Sequence, residues 1–421
     1  MSFEYRDGLL WCGDKFLAEI AQEFDTPLYL YDAASIKERA SEFISAFSSS
    51  ICKIHYALKA NSNLAILRLI RDEGFGADIV SEGELEAAAK AGFSPENITF
   101  AGVGKRPDEI SAAINRGIGL IIAESVSEIE LIDHLSENKS HKTAVALRVN
   151  PNIDAKTHKN ISTGLHHNKF GMDEDDIRSL IKRRDEFKNL IITGIHIHIG
   201  SQIGEVEPFR RAAEYAAELV DELNKSESII RIVNLGGGLG VNYDRMLPGE
   251  ENYNYVTPDE LADTILPILN PTGCSIQLEP GRWIVAPSAV LLTKVLYTKT
   301  IAGNKFVVTD AGMTDFMRPS LYQSLHPIVP VVQSGKPEEI VNVVGPICES
   351  TDSFAEEYPL PKLSEGDLLA IMGVGAYGYA LSSNYNLHRR PAEVLIDNGG
   401  VRLIRRRESV DYLFESMTDI D

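Results

Sequence analysis

The sequence contains no run approaching the roughly 18 consecutive apolar residues that a bilayer crossing demands, so no membrane association is expected. Its opening, MSFEYRDGLLWCGDKF, lacks a basic stretch followed by an apolar one, and no export signal is expected there. Cysteine is scarce. Cys12, Cys52, Cys274 and Cys348 stand far apart with no C-x-x-C pair, in a chain of 421 residues that can bury a core without disulfide staples. Reduced thiols in the cytoplasm are the expectation. Basic residues are in deficit: 41 Lys and Arg against 61 Asp and Glu leave a formal charge of −20, which disfavours nucleic acid and anionic lipid as partners. Small polar metabolites remain. A composition 44% hydrophobic, 8% aromatic and 24% charged excludes a disordered, collagenous or low-complexity chain.

What the sequence does have is an alternation of short β-branched runs with longer segments of helical period, the pattern of repeated βα units around a parallel sheet. Eight strands are predicted, at 53–60, 76–80, 98–102, 119–125, 143–150, 192–200, 231–238 and 275–281. Between them NLAILRLIRDEG, EGELEAAAKAG, RPDEISAAINRG and PFRRAAEYAAELVDELNK repeat apolar residues at three and four. Eight repeats predict a (β/α)8 TIM barrel. An open doubly wound sheet would place a glycine-rich turn after its first strand, whereas the glycine cluster here follows the seventh. From about residue 285 the runs become β-rich, with NGG as a hairpin turn signal, and EYR-DG-LLW near the start reads as another hairpin. The expected division is 1–30 as a segment joining the β domain, 31–283 as the barrel, and 284–421 as a mostly antiparallel β domain. A polar insertion at 151–175, with Lys156, His158, His166 and His167, would sit at the active-site face of a barrel, as a lid or as a solvated surface.

Barrel enzymes carry their chemistry at the C-terminal ends of strands. Reactive side chains predicted there are Lys59, Asp78, Arg148, His196, His198, Glu279 and Arg282, with the Gly236-Gly237-Gly238 turn after the seventh strand. Lys59 shares strand parity with His55 and Ala57, and a desolvated lysine amine loses its charge and can condense with an aldehyde. The glycine run lets backbone N–H groups approach a phosphate, and Arg282 is placed to add a charge-assisted contact to the same anion. Glu279 at a strand end needs a cationic partner, which is either a protonated pyridine nitrogen or a neighbouring arginine. His196 and His198, two apart on a strand, would face the same way. One could stack on a planar cofactor while the other is hydrogen-bonded core; a metal site is the weaker alternative, because no further ligand set completes it.

Together HYALKAN, IHIHIGSQ, NLGGGLG and LEPGR resemble the pyridoxal-phosphate enzymes of the alanine racemase-like barrel class, in its decarboxylase branch, over essentially the whole chain. The resemblance implies that Lys59 holds the cofactor aldehyde, that His198 stacks on the ring, and that Ser201, Gly236 to Gly238 and Arg282 surround the phosphate. It pairs Glu279 with the pyridine nitrogen, where racemases of the class have an arginine, and it adds Asp78, Gly281 and Tyr377 to the cofactor contacts. MRPSLY, GPICEST and GVGAYGYALSSNYN resemble the diaminopimelate decarboxylase family. By that resemblance Arg318 and Tyr322, with Arg282, hold the substrate's distal carboxylate, Glu349 holds its distal ammonium, and Tyr377 contacts phosphate or substrate. By the same resemblance Cys348 returns a proton to Cα. The Cys-Glu loop would come from a second subunit, implying a homodimer with shared active sites. A related decarboxylase acting on ornithine, arginine or carboxynorspermidine, a non-catalytic pyridoxal-phosphate-binding protein, and a metal-dependent hydrolase built on His196 and His198 remain as alternatives.

Overall fold

The computed structural model describes residues 3–154, 169–225, 227, 229–250 and 253–418. Lys156, His158, His166 and His167 lie outside the described residues. The chain divides into two compact units, one of residues 39–241 with 254–283, the other of residues 1–38, 242–253 and 284–421.

The first unit is a closed barrel of eight parallel strands: Cys52–Ala57, Gly76–Ile79, Ile98–Phe100, Leu120–Ala123, Thr143–Arg148, Leu190–His196, Ile232–Asn234 and Ser275–Leu278. The ring closes where Ile276 to Leu278 pair with Cys52 to Ile54. The helices form where capping chemistry and period coincide. Leu64–Asp72 starts on Asn63, whose Oδ1 accepts from Ala65 N, Glu82–Ala91 starts on Ser81 and stops at the left-handed Gly92, and Pro258–Leu269 carries a Thr257–Glu260 capping box. Several strands are shorter than the sequence pattern predicts. The first ends at Ala57, because Leu58–Ala60 tightens into a 3-10 turn, and the sixth ends at His196. These early endings turn the functional residues off the strands and onto the turns that follow them.

The second unit holds a three-stranded sheet of Phe3–Arg6, Leu9–Cys12 and Lys15–Phe16 and a larger nine-stranded sheet. In the larger sheet Leu28–Asp32 pairs antiparallel with Ala289–Ile301 and parallel with Ala392–Asp397. The hairpin between Ala392–Asp397 and Gly400–Arg405 turns on Asn398 and Gly399, both at positive φ, as the Asn-Gly-Gly signal predicts. Leu10, Leu17, Leu28, Leu30, Val290, Leu292, Met372 and Val394 pack into one apolar cluster beneath these sheets.

Candidate active site

In the barrel, five charged or polar side chains from five strands or the turns after them converge at the C-terminal ends. Asp78, on the second strand, is buried, and its Oδ2 lies 3.5 Å from Lys59 Nζ. Glu279 follows the eighth strand. Asn234 Nδ2 donates to its Oε1 at 2.7 Å, and His196 Nε2 lies 3.4 Å from its Oε2.

The two buried carboxyls are driven apart. Burial and the negative charge of Glu279 push Asp78 well above the ordinary carboxylate range, against the pull of Lys59. Burial would raise Glu279 as well, but contact with His196 and the charge of Lys59 outweigh it and hold Glu279 below that range. One acid is therefore poised to keep a proton and the other to remain an anion, an arrangement that assigns distinct roles to two chemically similar groups.

Lys59 is less enclosed than strand parity implies. It sits on the Leu58–Ala60 turn with 38% of its side chain exposed, so the approach of Asp78, rather than full desolvation, defines its surroundings. Gly281 packs against this turn: a Cβ there would come 3.0 Å from Ala60 Cβ and 3.2 Å from Ala57 Cβ. The strand ends at His196, so His198 sits on the turn that follows it. His196 turns to Glu279, while His198 Nδ1 accepts from Gly237 N at 3.3 Å, which leaves the proton of a neutral ring on Nε2. Burial pushes the His198 imidazole well below its ordinary value and keeps it neutral.

The glycine turn acts mainly by shape. A Cβ on Gly237 would sit 2.2 Å from the Glu279 carbonyl oxygen, and one on Gly238 would sit 2.5 Å from that of Gly200. Gly236, at φ +64, has its N–H committed to Asn234 Oδ1 at 2.7 Å, so its contribution is its missing side chain rather than a donated proton. Arg282 Nη2 donates to Ser201 Oγ at 3.0 Å, which brings together two of the residues expected around a phosphate. Arg148 meets Glu124 at 2.5 Å, and Glu124 Oε2 also accepts from Gly171 N at 2.9 Å. Sequence reasoning missed Glu124, although it lies at a strand end like the others. Among the described residues no group of three or more His, Cys, Asp or Glu is arranged to hold a metal ion.

The second unit holds the other candidates. Arg318 opens the short helix Arg318–Tyr322 and is buried, with its guanidinium carbon 4.9 Å from the Tyr243 ring centre and 5.6 Å from that of Tyr322. Cys348 and Glu349 are exposed on the following loop, where Cys348 N donates to Asn386 Oδ1 at 3.0 Å. Asp352 pins this loop to the approach to Arg318, its Oδ2 accepting from Ile347 N at 2.7 Å and its Oδ1 from Met313 N at 2.6 Å. Ser320 Oγ adds a 2.7 Å bond to Thr351 O. Tyr377 is held in the left-handed region, at φ +55, within a loop rich in glycine. Asp352 escaped sequence reasoning, because a carboxylate four residues after Cys348 has no signature apart from its geometry.

These features fit a planar, phosphate-bearing cofactor: an anionic acid facing the barrel mouth, a turn with no room for side chains, an Arg–Ser pair, and Asp78 Oδ1 buried without a hydrogen-bond partner among the described residues. Residues 33–286 match the family model for the pyridoxal binding domain of pyridoxal-dependent decarboxylases. Diaminopimelate decarboxylase of Aquifex aeolicus is 40% identical over 417 residues, covering 99% of this chain and 97% of the relative. The chain belongs to the diaminopimelate decarboxylase family. The crystal structure of the Helicobacter pylori member complexed with L-lysine has a TM-score of 0.89 at 40% identity, covering 94% of this chain and 98% of that one. The M. jannaschii member in co-complex with L-lysine reaches 0.92 at 37% identity, covering 99% and 98%. As a family member the chain is a carboxy-lyase that uses pyridoxal 5'-phosphate. Among the described residues no helix is long and apolar enough to cross a membrane.

Proposed function

We propose that this chain removes one carboxylate of meso-2,6-diaminopimelate as carbon dioxide and yields L-lysine, the last step of lysine biosynthesis. When bound, pyridoxal phosphate supplies an electron sink for the pair left behind by the departing carboxylate. Lys59 would hold the cofactor through its amine. Glu279, held below the ordinary carboxylate range, would pair with the pyridine nitrogen, and the ring of His198 would pack against the cofactor. Ser201, Arg282 and the Gly236 to Gly238 turn receive the phosphate, with Asp78, Gly281 and Tyr377 as further contacts. Cys348 returns the proton to Cα.

The observation that carries the substrate assignment is that the chain supplies both a buried cation, Arg318, and an exposed loop acid, Glu349, which a homodimer would bring into one site from two copies. A substrate ending in an ammonium alone needs only the acid; one ending in a complete amino-acid head needs both. Arg318 with Tyr322 and Arg282 takes the distal carboxylate, and Glu349 and Tyr377 serve the rest of that head. Each charge-assisted contact is worth about 1.5–3 kcal/mol, so a substrate lacking one charge is discriminated against strongly.

Cys348 and Glu349 are exposed in the single chain, which supports a homodimer in which this loop completes the site of a second copy. Four free cysteines and no disulfide fit the cytoplasm. The test is carbon dioxide release from meso-diaminopimelate, ornithine and arginine in parallel, with the product identified. Release from diaminopimelate with lysine formed is expected, and release from ornithine alone would overturn the roles of Arg318 and Glu349. Mixing Lys59→Ala and Cys348→Ala chains should restore part of the activity; no recovery would argue against shared sites.

A further inference from the structure

Arg318 does not stand alone. Its Nε donates to His326 Nε2 at 3.3 Å, and His326 Nδ1 lies 2.9 Å from the carbonyl oxygen of Met372. A carbonyl can only accept, so Nδ1 carries the ring proton, and Nε2 presents a lone pair to the arginine. The imidazole is wedged between Tyr243, with ring centres 4.3 Å apart, and Phe316, 4.7 Å away edge-on. Gly373, next to Met372, lies so close behind Tyr243 that a Cβ there would meet Tyr243 Cδ1 at 3.3 Å and Met246 Sδ at 2.6 Å. The histidine therefore cannot tilt or flip without moving packed side chains.

We infer that His326 is a positioning residue that fixes the roll of the Arg318 guanidinium and thereby selects how it takes a carboxylate. A guanidinium can receive a carboxylate side-on, through Nε and one Nη, or end-on, through both Nη groups. His326 occupies Nε, which removes the side-on mode and commits Arg318 to the end-on fork. The Tyr243 ring fixes the plane of the guanidinium, and the histidine fixes its rotation within that plane. A planar, bidentate anion such as an amino-acid carboxylate fits this edge in one orientation, so the pair sets the direction in which the distal head enters.

The inference rests on Arg318 as the cation for the distal carboxylate, and the experiment separates the two. The probe is L-lysine, which keeps the distal head and lacks the carboxylate that leaves, titrated calorimetrically into holoenzyme, alongside KM and kcat for diaminopimelate. His326→Gln places an acceptor near the position of Nε2, whereas His326→Asn keeps only the contact toward Met372, and His326→Leu keeps neither. Asn and Leu should weaken L-lysine binding and raise KM by about 10- to 100-fold with a smaller change in kcat, and Gln should stay within about 3-fold of the parent. Equal losses in Gln and Leu, or unchanged binding in Asn, would overturn the role. Arg318→Gln with unchanged L-lysine affinity would instead overturn the reading on which it rests.

Discussion

The barrel and the β unit present their functional groups in different ways. In the barrel, Asp78, His196 and Glu279 stand at or beside strand ends, and side chains from adjacent strands satisfy one another: Asn234 and His196 serve Glu279, and Lys59 serves Asp78. In the β unit, Cys348, Glu349 and Tyr377 sit on loops, and it is the backbone that is fixed, by Asp352 between two loops and by a left-handed residue at 377. A barrel obtains its geometry from the alternation built into strands. Loops have no such periodicity and need a buried carboxylate or close-packed glycines to hold one shape.

The largest effect should fall on the barrel side. Lys59→Ala removes the amine proposed to take the cofactor and should abolish both turnover and the absorbance of lysine-bound cofactor; a variant that kept either would break the comparison at its root. The two acids come next. Glu279→Gln replaces a carboxylate held as an anion and should lower kcat by about 10²-fold or more, within the range for a positioned proton-handling group. Asp78→Asn replaces a carboxyl already pushed toward its protonated form and should cost about 10-fold or less. Equal losses would show that burial does not divide their roles.

The same contrast explains what could be read from the sequence. Eight strands, the barrel, and the position of Asp78, Glu279 and the glycine turn at or just after strand ends follow from repeating patterns, because βα alternation is a property of local sequence. What escaped was where strands stop. His196 and His198 were both expected on the sixth strand, which instead ends at His196. In the β unit, MRPSLY and GPICEST were legible through resemblance, whereas Asp352 and His326 were not. Each acts on residues brought near by the fold: Asp352 on Met313, and His326 on the carbonyl of Met372. Hydrogen bonds across 39 and 46 positions leave no trace in local pattern.

Glycine substitutions probe the two modes of construction at intermediate effect. In Gly237→Ala the new Cβ would lie 2.2 Å from a backbone oxygen that cannot swing away, so the end of the eighth barrel strand must shift. A loss of about 1–3 kcal/mol in stability, measured by denaturant unfolding, should accompany weaker cofactor binding. In Gly345→Ala the Cβ would meet Asp352 Oδ2 at 2.4 Å and Gly312 Cα at 2.4 Å, driving the two pinned loops apart. Here cofactor binding should persist while KM and kcat for diaminopimelate suffer. Loss of cofactor from Gly345→Ala would sink the separation of roles.

The smallest effect concerns pH. Asp315 in the β unit is buried, its Oδ2 accepts from Gly312 N at 2.9 Å, and burial first, then nearby Asp310 and Asp352, raise its carboxyl to about 7. A folded-state value above the unfolded one means that the folded chain binds the proton more tightly, so this group favours folding most in acid. Its contribution declines as pH rises from about 4 to about 7 and is level beyond. Glu279 in the barrel has the opposite sign: its value is lowered on folding, so its contribution is present above the ordinary carboxylate range and is lost on acidification. Asp315→Asn keeps an acceptor for Gly312 and cannot titrate. Its melting temperature relative to the parent should rise between pH 4 and pH 7 and then stay constant, by about 1 °C for each kcal/mol of that contribution, given an unfolding entropy of about 2.1 cal/mol/K per residue in a chain of 421 residues. A difference that is flat with pH, or that shrinks across that window, would show that the carboxyl of Asp315 is ionised in the folded β unit and that its hydrogen bond to Gly312 offsets the cost of burying it.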